Sequence, residues 1–153
     1  VYKSRGIELE ASLRMNEFFL NGGLTWTDAE ISKDDISPAN EGNTPRRQAD
    51  VVYQLTGGYA AANWTVGANV IGTSDAYAQD NNQLVMPGYT QVNLFADYRF
   101  AENWVVGLNV NNLFDTFGIT ESEEGGIVAN TENIIRARSI PGRTASLSVR
   151  YEF

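Results

Sequence analysis

The chain contains no cysteine and no histidine, and its only lysines are Lys3 and Lys33. Without cysteine there is no disulfide to staple it and no thiolate for a soft metal. Without histidine, the usual general base, haem ligand and neutral metal ligand are missing. Long apolar runs are lacking too: nothing approaches the roughly 20 residues of a membrane-spanning helix. The opening residues, Val1-Tyr-Lys-Ser-Arg5, carry no signal-peptide pattern and read as a strand approach, as expected of a mature or excised segment. Positive charge is scarce. Eleven Lys and Arg against nineteen Asp and Glu give −8 at pH 7, a sign that disfavours nucleic acid as a partner.

What is present is alternation. From Ala145 every second residue is apolar, through Leu147, Val149 and Tyr151 to Phe153, with Thr144, Ser146, Ser148, Arg150 and Glu152 between them. A period of two gives a strand one greasy and one polar face. The hydrophobic content of 42% looks like that of an ordinary soluble protein, but alternation also dilutes the signal of a membrane strand. Six more stretches share the pattern: about 5–15, 18–26, 47–60, 63–74, 89–100 and 103–115. Their apolar positions include Ile7 to Met15, Phe18 to Trp26, Val51 to Tyr59, Trp64 to Gly72, Val92 to Phe100 and Trp104 to Val110, and none of these is charged.

Connections alternate between short and long. Asn16-Glu17, Ala61-Ala62 and Ala101-Glu102 are of hairpin length, whereas 27–46, 75–88 and 116–141 are long and polar. The stretches 28–50, 74–88 and 115–141 hold thirteen acidic and five basic residues, a balance of −8, so the charge excess lies in these connections. Short turns on one side and long loops on the other are the sidedness of outer-membrane barrels. Asn63-Trp-Thr-Val-Gly-Ala-Asn-Val70 repeats as Asn103-Trp-Val-Val-Gly-Leu-Asn-Val110, which sets Trp64 and Trp104 at equal depth after short turns. With Trp26, Tyr151 and Phe153 they are expected at the membrane interface, where a ring is buried and its polar edge stays wet.

Three pieces in this order resemble the TonB-dependent outer-membrane receptors: Gly6-Ile-Glu-Leu-Glu10, Asn111-Asn-Leu-Phe-Asp115, and Pro141-Gly-Arg143 leading to Arg150-Tyr-Glu-Phe153. The resemblance implies an all-β fold, an antiparallel up-and-down transmembrane barrel segment of about seven strands from a barrel of about 22. Residues 1–153 would form the C-terminal portion of that barrel, without the plug domain or the N-terminal part of the barrel. It further implies energised uptake of a scarce ligand, such as a ferric siderophore or other chelate. The implied partners are outer-membrane lipid, the remaining strands and plug, and the TonB complex through an N-terminal region absent here. The sequence departs from the family after Asp115, where Thr116-Phe-Gly118 stands in place of an early tyrosine, so the local bulge is expected to differ.

Glu8, Glu10, Arg14, Asp97, Arg99, Arg150 and Glu152 fall on the polar face and are expected to line the lumen, as contacts to a plug or ligand or as a cross-strand ladder of exposed ion pairs. In the loops, Arg46, Arg47, Arg136 and Arg138 could grip an anionic chelate or a lipopolysaccharide phosphate. Tyr77 and Tyr89 could stack on an aromatic ligand or anchor at the interface. Asp34, Asp35, Glu121, Glu123 and Glu124 offer oxygen ligands but match no EF-hand spacing, so they read as a solvated acidic surface. No resident cofactor or metal is expected. Catalysis finds little support: no histidine activates a serine, and the Glu8/Glu10 pair, though dyad-like, has no sugar cleft around it. Alternation alone also fits a soluble binding module, a β-sandwich or lipocalin-like barrel with the greasy face inward. A small anchor barrel is disfavoured, since seven is an odd count. On the barrel reading, Leu94→Arg costs about 2–4 kcal/mol and Asn93→Arg far less.

Overall fold

The computed structural model of the chain describes residues 1–123 and 135–153. Among these residues eleven strands run in the order β1 (Tyr2–Met15), β2 (Phe18–Ile31), β3 (Val51–Ala60), β4 (Trp64–Thr73), β5 (Ala76–Tyr77), β6 (Val85–Met86), β7 (Tyr89–Arg99), β8 (Trp104–Asn111), β9 (Ile119–Ser122), β10 (Ala137–Ser139) and β11 (Thr144–Tyr151). Seven of them build one antiparallel sheet in the order β1-β2-β3-β4-β7-β8-β11. These are the seven stretches of alternating sequence. The short strands form two separate hairpins, β5/β6 and β9/β10, inside the second and third long connections. Those connections are therefore not structureless.

The register makes the two faces continuous. Leu9 pairs with Leu24, Leu24 with Tyr53 and Tyr53 with Gly72; lower down, Ala68 pairs with Leu94, Leu94 with Val110 and Val110 with Ala145. Opposed residues share a face, so a single-residue slip anywhere would turn a strand's apolar set over. Among the described residues no helix or second sheet covers the apolar face. Leu9 is 59% exposed and Leu147 73%. The buried apolar residues are Ile31, Ala78, Met86 and Val105, and the first three lie at the long-loop end. A soluble sandwich or lipocalin would interlock its greasy face in a dry centre, and this sheet does not.

Two strands outrun their sequence boundaries. β1 and β2 continue beyond Ile7 and Trp26, where the apolar face turns charged: Arg5 pairs with Asp28 at 2.7 Å and Lys3 with Glu30 at 3.8 Å. The uncharged band thus has a ceiling at Trp26. Its floor is Met15 opposite Phe18 at the first short turn. Eight residue steps separate these levels, about 27 Å along a strand and about 20 Å of depth at a tilt near 40°. Aromatics gather at the floor. Trp64 stacks on Tyr98 at 4.1 Å, Phe18 meets Tyr59 edge-on at 5.1 Å, and Trp104 sits 4.9 Å from Tyr151, which contacts Phe153 at 5.0 Å.

The polar face is not uniformly polar. Phe19 lies opposite Gly58, Gly58 opposite Gly67, and Gly67 opposite Phe95. Each ring fills the space over its glycine. One level nearer the loops runs a neutral ladder. Ser12 donates to Asn21 Oδ1 at 2.6 Å, Asn69 Nδ2 to Thr56 Oγ1 at 2.9 Å, and Asn93 Nδ2 to Asn69 Oδ1 at 3.1 Å.

Candidate functional site

The three long connections converge on the loop end of the sheet and interlock there. The first leaves β2, makes a single 3-10 turn at Pro38–Asn40, and returns to β3. Asn82 Oδ1 accepts the Thr44 N–H at 2.9 Å and Asn82 Nδ2 donates to the Thr44 carbonyl at 2.7 Å, so one amide satisfies both backbone groups of a residue in another loop. Asp80 Oδ1 takes the Arg46 N–H at 2.9 Å, and the Asp80 carbonyl accepts from Asn43 Nδ2 at 3.0 Å. Beneath them Ile31 and Ala78 are 2% and 0% exposed. The first two loops are one packed body.

Arg47 joins the third loop to it. Its backbone takes the left-handed φ of +60°, its N–H donates to the Tyr77 carbonyl at 2.6 Å, and its Nη2 donates to the Ser122 carbonyl at 2.7 Å. Its Nη1 lies 3.6 Å from Glu121 Oε1, while Arg138 Nη1 lies 3.3 Å from Glu121 Oε2. Arg136 faces Glu123 at 3.7 Å. Of the four loop arginines singled out in the sequence, Arg47, Arg136 and Arg138 thus sit against carboxylates of β9 and the residue after it. Arg46 is held through its backbone by Asp80.

The base of the third loop is clasped by the Asn-Leu-Phe-Asp piece. Asn112, 1% exposed and at φ +52°, donates from Nδ2 to the carbonyls of Thr116 and Pro141 at 2.9 and 3.0 Å and accepts the Thr116 N–H at 2.8 Å. Its own N–H donates to Asn93 Oδ1 at 2.8 Å. Asp115, also left-handed at φ +55°, accepts the Arg143 N–H at 2.8 Å. The two sequence pieces around 111–115 and 141–143 are therefore halves of one junction that seats β11 beside β8. After Asp115, Gly118 lets the Tyr89 ring pack on the backbone where a Cβ would stand 2.6 Å from ring carbons.

On the polar face below the loops, a depression of about 270 Å³ is walled by Glu8, Glu10, Gln54, Thr73 and Tyr89, with Gly23 opening its floor. Glu8, Glu10 and Arg14 form no ion pair among the described residues. At the short-turn rim Glu152 lies between Arg99 at 2.9 Å and Arg150 at 3.1 Å, and Val105, opposite both arginines in the register, is buried between them. Asp97 stands one level in from that rim, opposite Thr65 and Gly107. Of the seven charged residues expected on the polar face, those that form ion pairs among the described residues, Arg99, Arg150 and Glu152, all lie at the short-turn rim.

The acidic residues of the first loop serve the loop itself. Asp34 Oδ1 accepts the N–H groups of Ser37 and Ile36 at 3.0 and 3.1 Å, and Oδ2 accepts from Asn40. The Ser37 N–H, then Asn40, hold the Asp34 carboxyl below its ordinary value. Asp35 pairs with Lys33 at 2.7 Å. Glu124 lies outside the described residues. Among the described residues no three carboxylates gather as a metal site. Sequence reasoning missed Asp80, Asn82 and Asn112 as organisers. Their turn-forming character is visible, but their partners lie up to 38 residues away.

Residues 1–113 match the family described as TonB dependent receptor-like, beta-barrel. The metal-pseudopaline receptor CntO of Pseudomonas aeruginosa is 32% identical over 119 residues, which cover 74% of this chain and 17% of that receptor. Among solved structures, the siderophore receptor PiuA from Acinetobacter baumannii superposes with a TM-score of 0.86 at 23% identity, over 98% of this chain and 22% of that one. The ferric yersiniabactin uptake receptor FyuA from Yersinia pestis gives 0.83 at 19%, over 99% of this chain and 24% of that one. The chain therefore spans less than a quarter of the length of each of these relatives.

Proposed function

The chain belongs to the family of TonB-dependent receptor β-barrels, and on that premise we propose that it is the C-terminal wall, with three extracellular loops, of an outer-membrane receptor that takes up a metal chelate such as a ferric siderophore. One observation carries the reading. The apolar face between the Trp26 and Phe18 levels holds no charge and none of the described residues covers it, which suits hydrocarbon. Trp64, Trp104, Tyr151 and Phe153 then form the periplasmic aromatic girdle, with Trp26 at the outer interface. Glu8, Glu10, Arg14, Asp97, Arg99, Arg150 and Glu152 face the lumen, where a plug domain supplied by the rest of the protein would sit. The loop arginines and Tyr77 are the candidate cargo contacts. Energy would come from the TonB complex through a part of the receptor outside this segment. No catalytic role is proposed. The test is uptake of radiolabelled iron chelates by cells carrying the full-length receptor, with and without a functional TonB. Uptake of at least one chelate that requires both receptor and TonB is expected; accumulation that ignores either one would refute the reading.

A further inference from the structure

The register of β2 with β3 stops where Trp26 faces Val51, but β1 and β2 stay paired as far as Tyr2 opposite Ile31. This projecting ribbon keeps the phase of the apolar face. Lys3 and Arg5 on β1, with Asp28 and Glu30 on β2, therefore share the side of Ile7 and Trp26. Among the described residues these are the only charged side chains on that face of the seven-stranded sheet. The charge begins at the first outward position past the last apolar pair. Its cations stand in a column on β1, one of them among the chain's two lysines, and its anions in a column on β2. Arg5 commits Nε and Nη2 to a single oxygen, Asp28 Oδ2, at 2.9 and 2.7 Å. That fixes the guanidinium plane and leaves its Nη1 edge open among the described residues. Lys3 is held more loosely, 3.8 Å from Glu30. The Arg5 and Lys3 side chains are 82% and 70% exposed, so these ion pairs contribute little to stability.

We propose that Arg5 and Lys3 dock the phosphate groups of a phosphorylated glycolipid in the outer leaflet. The patch is continuous with the band that faces hydrocarbon, and its depth is right. One outward position is two residues, roughly 7 Å along a strand and about 5 Å of depth at a tilt near 40°. Arg5 thus stands about 5 Å outside the apolar band and Lys3 about 10 Å. The polar layer flanking a hydrocarbon core is about 5–8 Å thick. Arg5 falls within that layer, and the Lys3 stem is long enough to bring its ammonium down to it. The charge is complementary too: a planar guanidinium with a free edge suits a phosphate, and a lysine beside it adds a point charge. The site rests on the outward assignment of the apolar face and not on the cargo.

The experiment titrates the full-length receptor in detergent with diphosphoryl lipid A, and native mass spectrometry counts receptors with and without a bound lipid. Arg5→Gln and Lys3→Gln should each weaken binding about fivefold. Arg5→Lys should recover part of that loss, since the charge stays and the planar fork goes. Lys33→Gln removes the same charge from the first loop, where Lys33 pairs with Asp35, and should change nothing. All variants should bind the dephosphorylated lipid as the unaltered receptor does, and millimolar inorganic phosphate should not displace diphosphoryl lipid A. Unchanged affinity in the Lys3→Gln/Arg5→Gln double variant would overturn the inference. So would an equal loss in Lys33→Gln, which would mean a general charge effect, or displacement by inorganic phosphate, which would mean a site for free anions. Chelate uptake should not change in these variants. A receptor that fails the uptake test but shows this lipid dependence would lose the uptake reading and keep the lipid site.

Discussion

Glycine on the polar face shows how single residues set this wall. A Cβ at Gly67 would meet the Phe95 ring and stand 2.6 Å from the Gly57 carbonyl oxygen, and at Gly58 it would stand 2.6 Å from Phe19 Cζ. The rings cover the glycines, and the glycines leave room for the rings. Gly67→Ala in the full-length receptor should cost about 1–3 kcal/mol by urea unfolding, as expected of overpacking. Removing the ring with Phe95→Ala should restore only part, because the second obstruction is backbone. At the same scale the inside–outside assignment is testable at Leu94, on the apolar face opposite Ala68 and Val110. Leu94→Arg should cost about 2–4 kcal/mol near mid-membrane. Asn93, its neighbour on the polar face, is a poor control despite the sequence expectation, since its side chain binds Asn69, Gln91 and the Asn112 N–H. Gln54, exposed on the same polar face, is the better one. Gln54→Arg should cost under about 0.5 kcal/mol, as for surface changes generally, and equal penalties at 94 and 54 would undo the assignment of faces.

At the level of elements, the third loop hangs on its clasp. Asn112 is buried, sits at positive φ and satisfies three backbone groups of Thr116 and Pro141 with one side chain. Asn112→Ala leaves those groups without their partner and puts alanine in a left-handed conformation, so a loss of about 2–4 kcal/mol is expected. Asn112→Gly relieves only the backbone strain and should recover about 1 kcal/mol of it. Faster proteolysis between β8 and β11 in Asn112→Ala, with the rest of the barrel resistant, is the accompanying readout. The strands themselves were legible in the sequence because alternation is local and each stretch has only two possible phases. The clasp was legible only as two motifs: Asn112 and Pro141 are 29 residues apart, and no periodicity joins them. The overrun of β1 and β2 was hidden for a related reason. Lys3 and Arg5 look like a polar chain start until Glu30 and Asp28 are placed opposite them. The loop hairpins, with two to four residues per strand, are too short to show a period.

For the whole molecule the decisive feature is what the sheet leaves open. Among the described residues β1 pairs only with β2 and β11 only with β8, so fourteen residues on one side and eight on the other present an unpaired edge. Every residue of both strands is exposed. In hydrocarbon each unsatisfied backbone N–H or C=O costs several kcal/mol, far more than the aromatic girdle or the rim ion pairs return. Seven strands could close on themselves only by setting β1 beside β11. Six antiparallel steps, an even number, separate them, so both run from the long-loop end to the short-turn end and the join would be parallel. Residues 1–153 expressed alone and refolded into lipid should therefore give no heat-resistant monomer on an unboiled gel. They should instead aggregate through the open edges, the general fate of unpaired strands. Supplying the remainder of the barrel as a second chain should rescue a heat-resistant complex. A closed, heat-resistant monomer of the segment by itself would mean that its edges are satisfied in some way this topology does not provide.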